Sequence, residues 1–248
     1  MTFLNLVIFN LKYFTNFKNK FFQFLFFFQP LFNLTTFYFL AKLGVKRFEP
    51  IHIIVTAVTG MITFSLYSTG SYLYIEDRDD TLKLNMFSST NIFIIALSKA
   101  TANSIVGLII FFVSFFYGAF IFKVEFYNNN IGLLIIILIV LLVVLTAIGL
   151  LFTSIVSNSP NIYTVQNILV TPIILASGIY PLENFKIFSI FKLINPLHPL
   201  IYCLYNTPDI QYTTLIFNIG HAILISGLYL LLSYVLIKKF IMRGTRQK

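Results

Sequence analysis

The sequence predicts an all-α integral membrane protein: six transmembrane helices, an N-terminal amphipathic helix in the interface, and a re-entrant helical hairpin on the outward side before the last span. Three observations carry this expectation. The 248 residues are 58% hydrophobic and 10% charged, with a mean hydropathy of +0.89, values foreign to a soluble domain. The apolar residues fall into long runs, and six spans of ~20 residues would use about half the chain, leaving no room for a folded cytosolic domain. The net charge of +9, from 17 Lys/Arg against 8 Asp/Glu, lies mostly at the ends of those runs, where it faces anionic lipid. Membrane lipids are therefore the expected partner of the bases. Nucleic acid is not, because no basic stripe marks a soluble face. Residues 1–248 read as a single transmembrane domain.

The first stretch, 1–19, sets Leu4, Val7, Ile8, Leu11 and Phe14 at helical spacing with Asn5, Asn10 and Lys12 between them. This is the pattern of an interfacial amphipathic helix. Lys18-Asn19-Lys20 leads straight into the next apolar run without the small-residue cleavage site of a secretory signal, so the end is expected to be retained. The first span, about 21–41, is crowded with phenylalanine and interrupted by Pro30, which predicts a kink. The second, about 51–74, contains Gly60, Gly70 and a run of Thr and Ser, the composition of a helix that packs closely or lines a polar cavity. The third runs over about 92–122, with Lys99 and Asn103 near its start. The fourth, about 131–156, is an unbroken aliphatic run.

The fifth apolar stretch, 162–176, contains Gln166, Asn167 and Pro172, and can cross a bilayer only if its polar residues face protein. Ser177-Gly178-Ile179-Tyr180-Pro181 ends it. Two pieces follow, 185–194 and 200–205, each too short to span and separated by Asn195-Pro196-Leu197-His198-Pro199. Short apolar pieces around a double-proline break predict a re-entrant hairpin over 178–206. The last span, about 213–237, precedes Lys238, Lys239, Arg243, Arg246 and Lys248. With six spans, eleven bases fall on the side of the termini and six on the other, which puts both ends in the cytoplasm.

Little in the chain suits chemistry. One cysteine, Cys203, excludes an intramolecular disulfide, and His52, His198 and His221 have no Cys or carboxylate at metal-ligand spacing. No catalytic residue and no metal ligand is expected. Half of the acidic residues fall within Glu76-Asp77-Arg78-Asp79-Asp80, on the cytoplasmic side between the second and third spans. Without a histidine or nucleophile beside them, these carboxylates do not make an acid–base site. Asp79, Asp80 or Thr81 can instead cap a short helix over about 79–88 that carries Leu82, Lys83, Leu84, Met86 and Phe87. A charged cap before an exposed apolar face fits a docking surface, with a plain solvated loop as the alternative.

The stretch Glu76 to Leu84, followed by Ser88-Ser89-Thr90 and Ala96-Leu97-Ser98-Lys99, resembles the ABC-2 type permeases. That family has a Glu, a few polar residues, Thr-Leu, an apolar stretch, a small-residue turn and a Lys opening the next span. Ser177-Gly178-Ile179-Tyr180-Pro181 resembles its Ser-Gly-x-x-Pro, and Asn195-Pro196-Leu197 its Asn-Pro-Leu. Asp80 stands where Gly is frequent, and His198-Pro199 replaces the commoner Thr-Tyr.

The resemblance implies a bacterial exporter half of the type V fold in the plasma membrane, with two copies pairing and a separate cytosolic ABC ATPase dimer binding ATP and Mg. The chain itself would carry no cofactor, and it has no G-x-x-x-x-G-K-[ST] phosphate loop. On this reading Glu76, Asp77, Arg78, Asp79, Asp80, Thr81, Leu82, Leu84 and Phe87, within the 76–90 region, form the ATPase-coupling interface. Ser177, Gly178, Pro181, Asn195, Pro196, His198 and Pro199 shape the hairpin. With no acid expected at membrane depth, the cargo implied is hydrophobic or amphipathic: a peptide, toxin or drug, or alternatively a lipid or lipid-linked glycan. An integral-membrane enzyme on lipid substrates would need carboxylates, His or Lys at that depth. A passive channel or structural subunit would differ in having no neighbouring ATPase.

Overall fold

Inside hydrocarbon every backbone N–H and C=O needs a partner within the protein, which restricts an open chain to helices. The computed structural model describes residues 2–14, 18–44, 48–70, 72–78, 81, 85, 90–124, 131–159, 161–179, 192–207 and 210–246, and no strand occurs among them. The helices are α1 (Phe3–Lys12), α2 (Lys20–Gln23), α3 (Gln29–Lys42), α4 (Pro50–Gly70) and α5 (Tyr72–Arg78). They continue as α6 (Ile92–Phe120), α7 (Ile131–Ser157), α8 (Ile162–Ala176), α9 (Leu197–Tyr205) and α10 (Tyr212–Arg246).

Among the described residues, five segments are long and apolar enough to cross a membrane: Lys20–Lys42, Pro50–Glu76, Ile92–Phe120, Ile131–Ser157 and Tyr212–Met242. The fifth expected span is a helix over the residues anticipated, but at 15 residues it is about 22 Å long, less than the ~30 Å of a hydrocarbon core. Its polar residues do meet protein: Gln166 is buried and donates to the Tyr67 carbonyl at 3.2 Å, and Asn167 accepts from the Tyr67 hydroxyl at 3.1 Å.

The Pro30 break takes a particular form. Phe24–Phe28 is a π-helical turn linking α2 to α3, and Pro30 follows it directly, so the ladder hydrogen bond a proline removes falls where the helix is already irregular. Pro50 likewise opens α4, and Asn91 caps α6 by accepting from the Phe93 N–H at 2.9 Å. The last helix extends past the expected 237 through Lys238 and Lys239 to Arg246.

The Thr- and Ser-rich α4 is the most enclosed of the five. It approaches α6 closely because α6 supplies glycine at the contacts. A Cβ on Gly107 would lie 2.8 Å from Ser65 Oγ and 3.2 Å from the Met61 carbonyl, and one on Gly118 would meet Ile53 Cδ1 at 2.3 Å. The main core gathers Met61, Leu66, Phe111, Leu145 and Phe152 with Leu200 of α9. Phe32, Phe112, Phe116, Phe120 and Phe217 are exposed on the outside of the helices. In α1 the expected apolar face divides. Val7 is buried, and Leu11 and Phe14 pack on Leu25, Phe64 and Ile110, whereas Leu4 and Ile8 face out.

Candidate functional site

The last turns of α4 are tied to three other helices by polar side chains. Asn103 of α6 donates to Thr69 Oγ1 at 3.2 Å, and Thr153 of α7 donates to the Gly70 carbonyl at 3.0 Å. Gln166 of α8 reaches the Tyr67 carbonyl. Gly70 is needed at this crossing, since a Cβ there would lie 2.6 Å from the Phe152 ring and 2.9 Å from Gln166 Nε2. In an apolar surround each such bond also removes a backbone or side-chain group that would otherwise be stranded.

One turn further along stands Glu76. The sequence places it outside membrane depth, between the second and third spans, as part of a docking surface; the structure puts it on α5, only 8% exposed. Helical backbone continues past Tyr74, and α6 begins early enough to bring Lys99 alongside. Lys99 Nζ donates to Glu76 Oε1, and the same ammonium lies 4.2 Å from the centre of the Tyr72 ring, one helical turn before the carboxylate. The second oxygen, Oε2, accepts from Asn85 Nδ2 at 2.9 Å, and the Glu76 carbonyl accepts from Thr81 Oγ1 at 3.2 Å. A carboxylate this deep is sustainable only when paired and hydrogen-bonded in this way.

Beside the ion pair, Ser98 accepts from Asn10 Nδ2 of α1 at 3.0 Å. Between α1, α4, α5 and α6 lies a cavity of about 300 Å³ whose wall includes Phe9, Asn10, Tyr72, Glu76, Lys99 and Asn103. Among the other expected coupling residues, Thr81 and Asn85 have helical backbone, and Asp77 and Arg78 complete α5. Asp79, Asp80, Leu82, Leu84 and Phe87 lie outside the described residues.

The two motifs of the expected hairpin meet each other. Ser177 donates to the Ile174 carbonyl at 2.5 Å at the end of α8, and Gly178 follows at φ +83°, the left-handed conformation that ends a helix. A side chain at 178 would also collide with the His198 ring, 2.6 Å from Cδ2. Asn195 joins two helix ends. Its Nδ2 donates to the Ile173 carbonyl at 3.0 Å, and its Oδ1 accepts from the Leu197 N–H at 3.1 Å.

The break between the apolar pieces is shorter than expected: Pro196 precedes α9, and His198 and Pro199 belong to its first turn, where proline is tolerated. Pro181 lies outside the described residues. A second cavity of about 390 Å³, almost wholly apolar, is lined by Phe152, Leu169, Pro172, Ile194, Asn195 and Tyr229, among others.

A family model described as ABC-2 type transporter matches residues 5–208, from the first turn of α1 to the end of the hairpin region, and so takes in the stretches 76–99, 177–181 and 195–197. The chain belongs to the ABC-2 type transporter family. No curated protein and no solved structure matches it. This multi-pass membrane protein is a permease subunit of an ABC transporter, and the matched part is the family's membrane component rather than a nucleotide-binding domain. Such permeases generally work with an ABC ATPase. The sequence had singled out Glu76 and Lys99 as separate landmarks; their pairing, and the joints at Thr69, Asn103, Thr153 and Gln166, it had not.

Proposed function

We propose that this permease is one half of an ATP-driven exporter: two copies form the path, and a cytosolic ABC ATPase dimer, which binds ATP and Mg, docks on residues 76–90. The observation that carries this reading is the anchoring of that segment. Thr81 and Asn85 are bonded to Glu76, which is bonded in turn to α6, so a push on the segment reaches a membrane helix. The match over residues 5–208 supports the same reading.

On this reading the chain crosses a bacterial plasma membrane six times with both termini in the cytoplasm. α8 completes the fifth crossing together with the residues that flank it, and 178–206 dips in from outside and returns. ATP-driven closure of the ATPases moves the helices and alternates access. The cargo is a hydrophobic or amphipathic peptide, toxin or drug. The apolar cavity walled by α7, α8 and α10 supports that class over a cation or a free phosphate.

The test is ATP hydrolysis. The purified chain alone hydrolyses no ATP, and the complex captured from native membranes hydrolyses it with vanadate sensitivity. Robust hydrolysis by the single chain would end the permease–ATPase division of labour.

A further inference from the structure

Glu76 is bonded to two parts of the chain at once. One carboxylate oxygen takes the Lys99 ammonium of α6, the other takes the Asn85 amide, and the main-chain carbonyl takes the Thr81 hydroxyl. Lys99 is itself held from two directions, by the carboxylate and by the face of Tyr72. With 8% of its surface exposed, Glu76 has little left to offer a cytosolic subunit.

We infer that Glu76 and Lys99 are positioning residues of coupling rather than contacts of the ATPase. Their ion pair clamps Thr81 and Asn85 to the first turns of α6. A displacement delivered to that segment therefore moves α6, and through Ser98 and Asn10 also α1, instead of being absorbed in a slack connection. The inference rests on the coupling role proposed above. A salt bridge suits this task because two paired charges fix a register that looser apolar contacts would let slide.

Hydrogen exchange of the full chain in nanodiscs tests the clamp without any ATPase or cargo. In E76Q and in K99M, peptides containing Thr81 and Asn85 exchange roughly 2- to 30-fold faster, the range expected for residues along a coupling route, while α7 and α10 exchange as in wild type. K99R keeps the pair and the wild-type rate, and the charge swap E76K/K99E recovers much of the protection that either reversal alone removes. Such rescue would not accompany a general loss of fold. Wild-type exchange in both E76Q and K99M overturns the inference, as does loosening that spreads over the whole chain. In the complex, E76Q retains ATPase binding; loss of binding with unchanged exchange would make Glu76 a direct contact and equally overturn it. Failure of the wild-type chain to associate with any ATPase would count against the proposed function and leave the exchange result standing.

Discussion

Replacing Asn195 by alanine removes one side chain and strands two backbone groups. The residue is 8% exposed, and its amide closes the gap between the end of α8 and the start of α9 by holding the Ile173 carbonyl at 3.0 Å and the Leu197 N–H at 3.1 Å. An unsatisfied buried group costs ~1–3 kcal/mol, but polar contacts between membrane helices average nearer ~0.6 kcal/mol. With two groups orphaned, about 2 kcal/mol is the expected loss, an increase of roughly 30-fold in the open population of this junction. The chain carries its own reporter, because its single cysteine, Cys203, lies in α9 at 0% exposure. Labelling of Cys203 by a maleimide fluorophore in detergent, under conditions where opening is at equilibrium, should therefore be about 30-fold faster in Asn195→Ala. Asn206→Ala is the control, since its amide bonds only the preceding turn, at the Tyr202 carbonyl, and its labelling rate should stay at the wild-type value. Equal rates for Asn195→Ala and wild type would refute the idea that this amide joins the two helix ends.

Gly107→Val should lower the melting midpoint measured by circular dichroism, because overpacking against Ser65 Oγ and the Met61 carbonyl costs ~1–3 kcal/mol and each kcal/mol is ~2–4 °C in a chain of this size. Gly132→Ala, with nothing within 4 Å, should leave it unchanged, and equal midpoints for the two variants would show that the α4–α6 approach is not tight. For topology, single cysteines at Asn129, Asn184 and Gln247 on a Cys203→Ser background should react with an impermeant thiol reagent in intact cells at the first two positions only. Labelling at Gln247 from outside would overturn six crossings.

What the sequence could reveal follows from the range of its signals. Apolar runs and their basic ends are local, so the five long helices, the Pro30 irregularity and the α8 boundaries were readable to within a few residues. The proximity of Glu76 to Lys99 was not, because the residues are 23 positions apart, and hydropathy reads both as charges near a span end. Helical periodicity tells which face of α4 is polar but not which residues of α6 and α7 oppose it, so the Thr69–Asn103 and Gly70–Thr153 joints required the packed structure. Gly107 and Gly118 likewise read as ordinary small residues until Ser65 and Ile53 are seen against them. The motifs at 177–178 and 195–196 were visible as motifs; that Gly178 abuts His198, while Asn195 ties the end of α8 to the start of α9, was not.

The most direct test of the central claim is a photo-crosslinking amino acid at Thr81, an exposed position bonded to Glu76, introduced in living cells and followed by mass spectrometry of the adduct. The account predicts a crosslink to a nucleotide-binding subunit that carries the G-x-x-x-x-G-K-[ST] loop this chain lacks, while the same probe at lipid-facing Phe217 gives none. Adducts at Thr81 confined to lipid, to a second copy of the chain or to proteins without a phosphate loop would contradict it.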